Sequence, residues 1–169
     1  MNAVDTNVLL YTHDPRDPDK QATAAALIQS LTDGVLLWQV ACEYLSASRK
    51  LEPFGYNRAQ AWLDIHDLRR VWTTILPSWG VLEHAEQLLA SYSLSFWDAM
   101  IIAACLEGGV TRLYSEDFDA YPRVDGLEVL NPYLNSDGLK CLHYGHAERW
   151  LLRPHQQSPA FLYRAYDGC

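Results

Sequence analysis

The feature that most constrains this chain is an alternation of short, apolar, β-rich runs with longer segments of helical spacing. VLLW follows Gly34, VWTTIL ends at Pro77, and RLYS and LEVL come later in the chain. Each run is short and lies next to turn or breaker residues, as strands do. Between them, residues 18–31 place Ala22, Ala25, Ala26 and Ile28 at helical spacing, with Asp17 available as a cap before Pro18. Residues 40–51 put Val40, Tyr44, Ala47 and Leu51 on one face. Residues 58–68 start after Asn57 as cap, and residues 81–92 repeat the helical pattern through Leu82, Ala85, Leu88 and Leu89. FWDAMIIAACLEGG is apolar nearly all round and stopped by Gly108 and Gly109, so a buried helix is expected there. The opening AVDTNVLLY reads as a buried strand with Asp5, Thr6 and Asn7 near its end. Strands alternating with helices imply an α/β fold with a mostly parallel sheet covered on both faces. In such folds, sites form beyond the carboxyl ends of the strands.

Several function classes are disfavoured at once. The 169 residues, 49% hydrophobic and 20% charged, suffice for a sizeable core. No apolar run approaches the roughly 20 residues that a membrane helix needs. The start, MNAVDTN, has no basic segment, so a cytoplasmic protein without a secretory leader is the expectation. Cys42, Cys105, Cys141 and Cys169 form no CxxC pair, and Cys42 and Cys105 are expected to be reduced core thiols. The six histidines offer one close pair, His143 and His146. A GxSxG turn, a GxGxxG loop and a phosphate-cradling loop ending in Gly-Lys are all missing. Zinc hydrolase and nucleotide-cofactor chemistry therefore find no support.

Charge is unevenly distributed. The formal net charge is −8, which repels polyanions overall. Between positions 49 and 70, however, Arg49, Lys50, Arg58, Arg69 and Arg70 face Glu52, Asp64 and Asp67, a net of +2 against −10 for the remainder. Part of that acidic excess falls at informative places. Asp5 lies within or just after the first apolar run, where an unpaired carboxylate is costly; an Asx turn or a helix cap also accounts for it. Glu43 borders an apolar helical face. Asp98 completes a Ser-x-x-Asp capping box with Ser95. Asp117 follows the RLY run in Ser115-Glu116-Asp117, at a strand's carboxyl end.

VDTNVLLY, WQVACEYLSASRK, LSFWDAMIIAAC and LYSEDF, in this order, resemble the successive motifs of the PIN-domain family, and of its VapC-type ribonuclease toxins in particular. The resemblance covers about residues 1–133. It implies a three-layer α/β/α fold and an Mg²⁺- or Mn²⁺-dependent endoribonuclease. Carried over, the family's acidic site falls on Asp5, Glu43, Asp98 and Asp117, with Asp5, Asp98 and Asp117 as metal ligands and Asn7 and Ser115 as accessory polar residues. It further implies an RNA substrate, a cognate protein antitoxin and a homodimer, with no role for a membrane. Trp62 and Trp72 are candidate interface anchors or ordinary core residues. Arg49 and Lys50, at the end of the helix carrying Glu43, are the candidate RNA contacts.

Residues 134–169 depart from the pattern and are expected to form a C-terminal extension. DGLKCL there echoes DGLEVL by chance or as an extra edge strand, and a short helix is expected over residues 146–152. Two alternatives stand beside the nuclease: a non-catalytic RNA-binding or protein-interaction module of the same fold, and a metal-dependent phosphohydrolase of small esters.

Overall fold

A computed structural model of the chain describes residues 1–118 and 121–134. Its elements run β1 (Asn2–Val4), α1 (Thr6–Tyr11), α2 (Pro18–Ser30), β2 (Gly34–Leu37), α3 (Trp38–Ala47), a 3₁₀ segment (Ser48–Phe54) and α4 (Arg58–Val71). Then follow β3 (Thr73–Ile75), α5 (Trp79–Ser91), α6 (Phe96–Glu107), β4 (Arg112–Tyr114), β5 (Arg123–Val124) and β6 (Leu127–Leu130). The six strands form one sheet in the order β3-β2-β1-β4-β6-β5, parallel throughout except for the β5–β6 hairpin. β2 is buried at all four positions, as a strand covered on both faces must be. Helices flank this sheet, with α1, α2, α3 and α4 packed on one another and α5 packed on α6.

Local chemistry sets most boundaries. Asp17, Asn57, Ser78 and Ser95 each cap a helix by accepting a backbone N–H, from Lys20, Gln60, Val81 and Asp98 respectively. The hairpin turns on Asp125 and Gly126, both at positive φ, the backbone that a two-residue turn between twisted strands requires.

Three expectations change. AVDTNVLLY is a three-residue strand followed by a helix: the Asp5 side chain accepts the Thr6 N–H at 2.6 Å and starts α1. An apolar run alone cannot tell a buried strand from a buried helix. The segment 40–51 changes from α-helix to 3₁₀ after Ala47, with Pro53 inside the 3₁₀ portion. Cys42 is exposed rather than a core thiol, because α3 turns that position outward; Cys105 is buried as expected. Of the two tryptophans, Trp72 is a core residue that closes over Gly34, where a Cβ would meet its ring at 2.1 Å, while Trp62 is exposed. The 134–169 extension, its echo strand, the helix over 146–152 and the pair His143 and His146 fall outside the described residues, apart from Leu134.

Candidate active site

The order of the strands locates the site. From β1 the sheet continues through β2 to one side and through β4 to the other, so the chain reverses its direction of addition between β1 and β4. A crevice opens at the carboxyl ends of the strands at such a point. Asp5 N–H donates to Tyr114 O at 2.9 Å there, which fixes the residue after β1 beside the last residue of β4.

Asp5 is 5% exposed. Its Oδ1 accepts from the Thr6 backbone, and its Oδ2 accepts from Ser115 Oγ at 2.6 Å and from Asn7 Nδ2 at 3.2 Å. Asn7 Nδ2 also reaches Ser115 Oγ at 3.2 Å and Asp117 Oδ2 at 2.9 Å, so one amide joins two carboxylates and a hydroxyl. Asp117 is exposed, so the site opens to solvent on its side. Glu43 enters from α3: its Oε2 accepts from Thr6 Oγ1 and its Oε1 from Gln39 Nε2, both at 2.9 Å. Gln39 Nε2 donates as well to Trp97 O at 3.2 Å, which brings the first turn of α6, with Asp98, alongside Glu43. Asp98 N–H is capped by Ser95 Oγ at 3.2 Å, as its capping box requires.

Burial pushes the Asp5 carboxyl up to about 6; hydrogen bonds from Ser115 and Thr6 oppose this, while the charges of Asp117 and Glu43 add to it. The electrostatics therefore favour a cation or a proton at Asp5. The donors are all oxygen or amide groups, the chemistry of a hard divalent cation. Asn7 Oδ1 is buried without a hydrogen-bond partner, an oxygen acceptor left open beside the carboxylates. Among the described residues, no three His, Cys, Asp or Glu side chains are arranged to hold one ion by themselves. The hydroxyls and amide of Thr6, Asn7 and Ser115 stand between the acids. Such spacing fits a cation that, like Mg²⁺, uses one or two carboxylates and keeps several waters.

The family model described as PIN domain matches residues 3–127, from β1 to the start of β6. The chain belongs to the PIN-domain family. The fold of this PIN domain is similar to a toxin–antitoxin complex from Klebsiella pneumoniae, with a TM-score of 0.60 at 19% identity, over 79% of this chain and 98% of that one. It is also similar to VapC20 of Mycobacterium tuberculosis, a toxin that cleaves the sarcin–ricin loop, with a TM-score of 0.58 at 22% identity, over 73% of this chain and 97% of that one. No curated protein matches the chain.

Of the residues expected from sequence, Asp5, Asn7, Ser115 and Asp117 form one hydrogen-bonded cluster in this PIN domain, and Glu43 joins it through Thr6. Asp98 borders it through the Gln39 bridge. Sequence reasoning missed Thr6, Gln39 and the pair Lys20–Glu116, which meets at 2.6 Å beside Asp117. Thr6 lies inside the quoted DTN motif and was within reach. Gln39 and Lys20 meet partners 58 and 96 residues away, which no local spacing signals.

Proposed function

We propose that this PIN domain is an Mg²⁺- or Mn²⁺-dependent endoribonuclease and the toxin of a toxin–antitoxin pair. The observation that carries the reading is the buried Asp5 carboxylate, held with Glu43 and Asp117 around oxygen and amide donors at a parallel-sheet switch point. Asp5, Asp98 and Asp117 would hold the cation between them, in part through the waters that it keeps. Glu43, fixed by Thr6 and Gln39, would orient the attacking water. When bound, the cation supplies Lewis acidity at a phosphodiester oxygen and lowers the pKa of a water. Asn7 and Ser115 hold the carboxylates apart and aligned, so that each keeps an open oxygen lone pair. Among the solved structures of similar fold, a toxin–antitoxin complex supports a cognate protein antitoxin, and a toxin that cleaves the sarcin–ricin loop supports an RNA substrate; a homodimer and a cytoplasmic location complete the proposed setting. Among the described residues, no helix is long and apolar enough to cross a membrane. The nuclease is assigned to residues 1–133, and residues 134–169 to a C-terminal extension.

The test is purified protein on total RNA. Cleavage is expected with Mg²⁺ or Mn²⁺, loss in excess EDTA, and recovery on adding metal back. Full activity in EDTA would overturn the metal reading. Hydrolysis of small phosphate esters with intact RNA would favour the phosphohydrolase, and RNA binding without cleavage would favour the non-catalytic module.

A further inference from the structure

Glu116 stands between two site residues, Ser115 and Asp117, yet it points away from the acidic cluster into a cage of its own. Its Oε2 accepts from Lys20 Nζ at 2.6 Å and its Oε1 from Tyr11 OH at 2.7 Å, so both oxygens are engaged. Lys20 Nζ is 3.0 Å from Tyr11 OH and sits 4.5 Å from the centre of the Tyr11 ring and 5.1 Å from that of Tyr133. The two rings meet edge to face at 5.2 Å. The cage thus draws on α1, α2 and the segment after β6, and all three converge on one glutamate in the loop after β4.

The loop explains why this matters. Ser115 and Phe118 are buried at its two ends, while Asp117 between them is exposed. Asp117 is restrained by the Asn7 amide at 2.9 Å and by its own N–H on Ser115 Oγ at 3.1 Å. With Glu116 tied down, the peptide between 116 and 117 cannot rotate freely, and the Asp117 carboxylate is turned towards Asn7 and Asp5. We propose that Lys20, acting with Tyr11 through Glu116, is a positioning residue for the metal-site carboxylate Asp117. The inference rests on the reading of the acidic cluster as a cation site.

The sign of the effect separates positioning from simple electrostatics. A lysine cation near the site repels a metal ion, so removing it should tighten metal binding if field alone mattered. Positioning predicts the reverse, because partners that orient metal ligands typically contribute 10–100-fold to affinity or activity.

The experiment is calorimetric titration of the full-length chain with Mn²⁺ alone, for the wild type, Lys20→Met, Lys20→Arg and Tyr11→Phe, with melting temperature and RNA-cleavage kinetics alongside. Lys20→Met is expected to bind Mn²⁺ about tenfold more weakly and to lose kcat with KM held. Lys20→Arg restores both, and Tyr11→Phe falls between. The pair is partly solvated, so the melting temperature is expected to move little. Unchanged or tighter Mn²⁺ binding in a folded Lys20→Met protein, with wild-type binding intact, would overturn the positioning role alone. Absence of Mn²⁺ binding in the wild type would overturn both that role and the cation-site reading.

Discussion

At the scale of the residue, Asp5 shows how one side chain can serve the fold and the proposed site together. Its two sequence interpretations, helix cap and site carboxylate, are compatible: Oδ1 caps α1 while Oδ2 faces Ser115 and Asn7. Its pKa is raised to about 6 from 3.8, so between those values the folded chain holds a proton that the unfolded chain releases. Stability therefore falls as pH rises from about 4 to about 6 and is flat above. Asp5→Asn removes the ionisation and is expected to raise metal-free stability at pH 7.5 by about 1–2 kcal/mol, after allowing for the acceptor that the amide gives up. The gain should vanish near pH 4, where the wild type is protonated. Calorimetric melting in EDTA across pH 4–8 measures it, and a gain independent of pH would refute the assignment. The same variant is expected to lose RNA cleavage while remaining folded, the usual opposition of stability and function where a charge is held buried. The acids themselves were readable in the chain because each follows or flanks an apolar element. Their partners were not: Gln39 looks like any polar residue on a helix until the fold brings Trp97 to it.

At the scale of the element, the packing of α1, α3 and α4 depends on a buried polar knot. Asp64 on α4 accepts from Tyr44 OH on α3 at 2.9 Å and from Tyr56 OH, and Tyr44 OH and Tyr56 OH also contact each other. His13 Nε2, just past α1, lies 2.8 Å from Asp64 Oδ2, and its ring stacks on Tyr56 at 4.2 Å. Burial drives both tyrosine hydroxyls well above their ordinary pKa, so they stay protonated and donate. Tyr44 follows Glu43 directly, so the knot also fixes the helix that carries that candidate site residue. Asp64→Ala leaves these donors facing an apolar hole, and a loss of about 3 kcal/mol is expected. Urea unfolding should show a lower midpoint at unchanged slope, and an unaltered midpoint would show that the knot is dispensable. Capping residues made α2, α4 and α6 legible in advance, because a cap is a local signal. The split of AVDTNVLLY and the knot were not legible, since the first needed the sheet's register and the second joins residues from two helices and two loops. The β5 strand was missed although Asp125-Gly126 announces a turn, because two residues carry no period.

At the scale of the molecule, the proposed function requires a protein of net charge −8 to hold a polyanion. Its excess of bases between positions 49 and 70 sits on the 3₁₀ segment and α4, directly after the helix that carries Glu43. Arg49 and Lys50 are exposed there, whereas Arg70 is engaged by Asp67 at 2.8 Å. A guanidinium meets a phosphate through two parallel hydrogen bonds and an ammonium meets it as a point charge, so the two make unequal contacts. Each phosphate neutralised on single-stranded RNA adds about 0.7 to the slope of log affinity against log salt. With cleavage disabled by Asp5→Asn, the double variant Arg49→Ala, Lys50→Ala is expected to bind RNA more weakly at low salt and to lose about 1.4 from that slope. Melting temperature should hold, because exposed charges contribute little to stability. Filter binding or fluorescence anisotropy over a salt series gives the slope. If affinity and slope both match the parent, the phosphates run over another face, and the cation at the acidic cluster must overcome the repulsion of the remaining negative surface by itself.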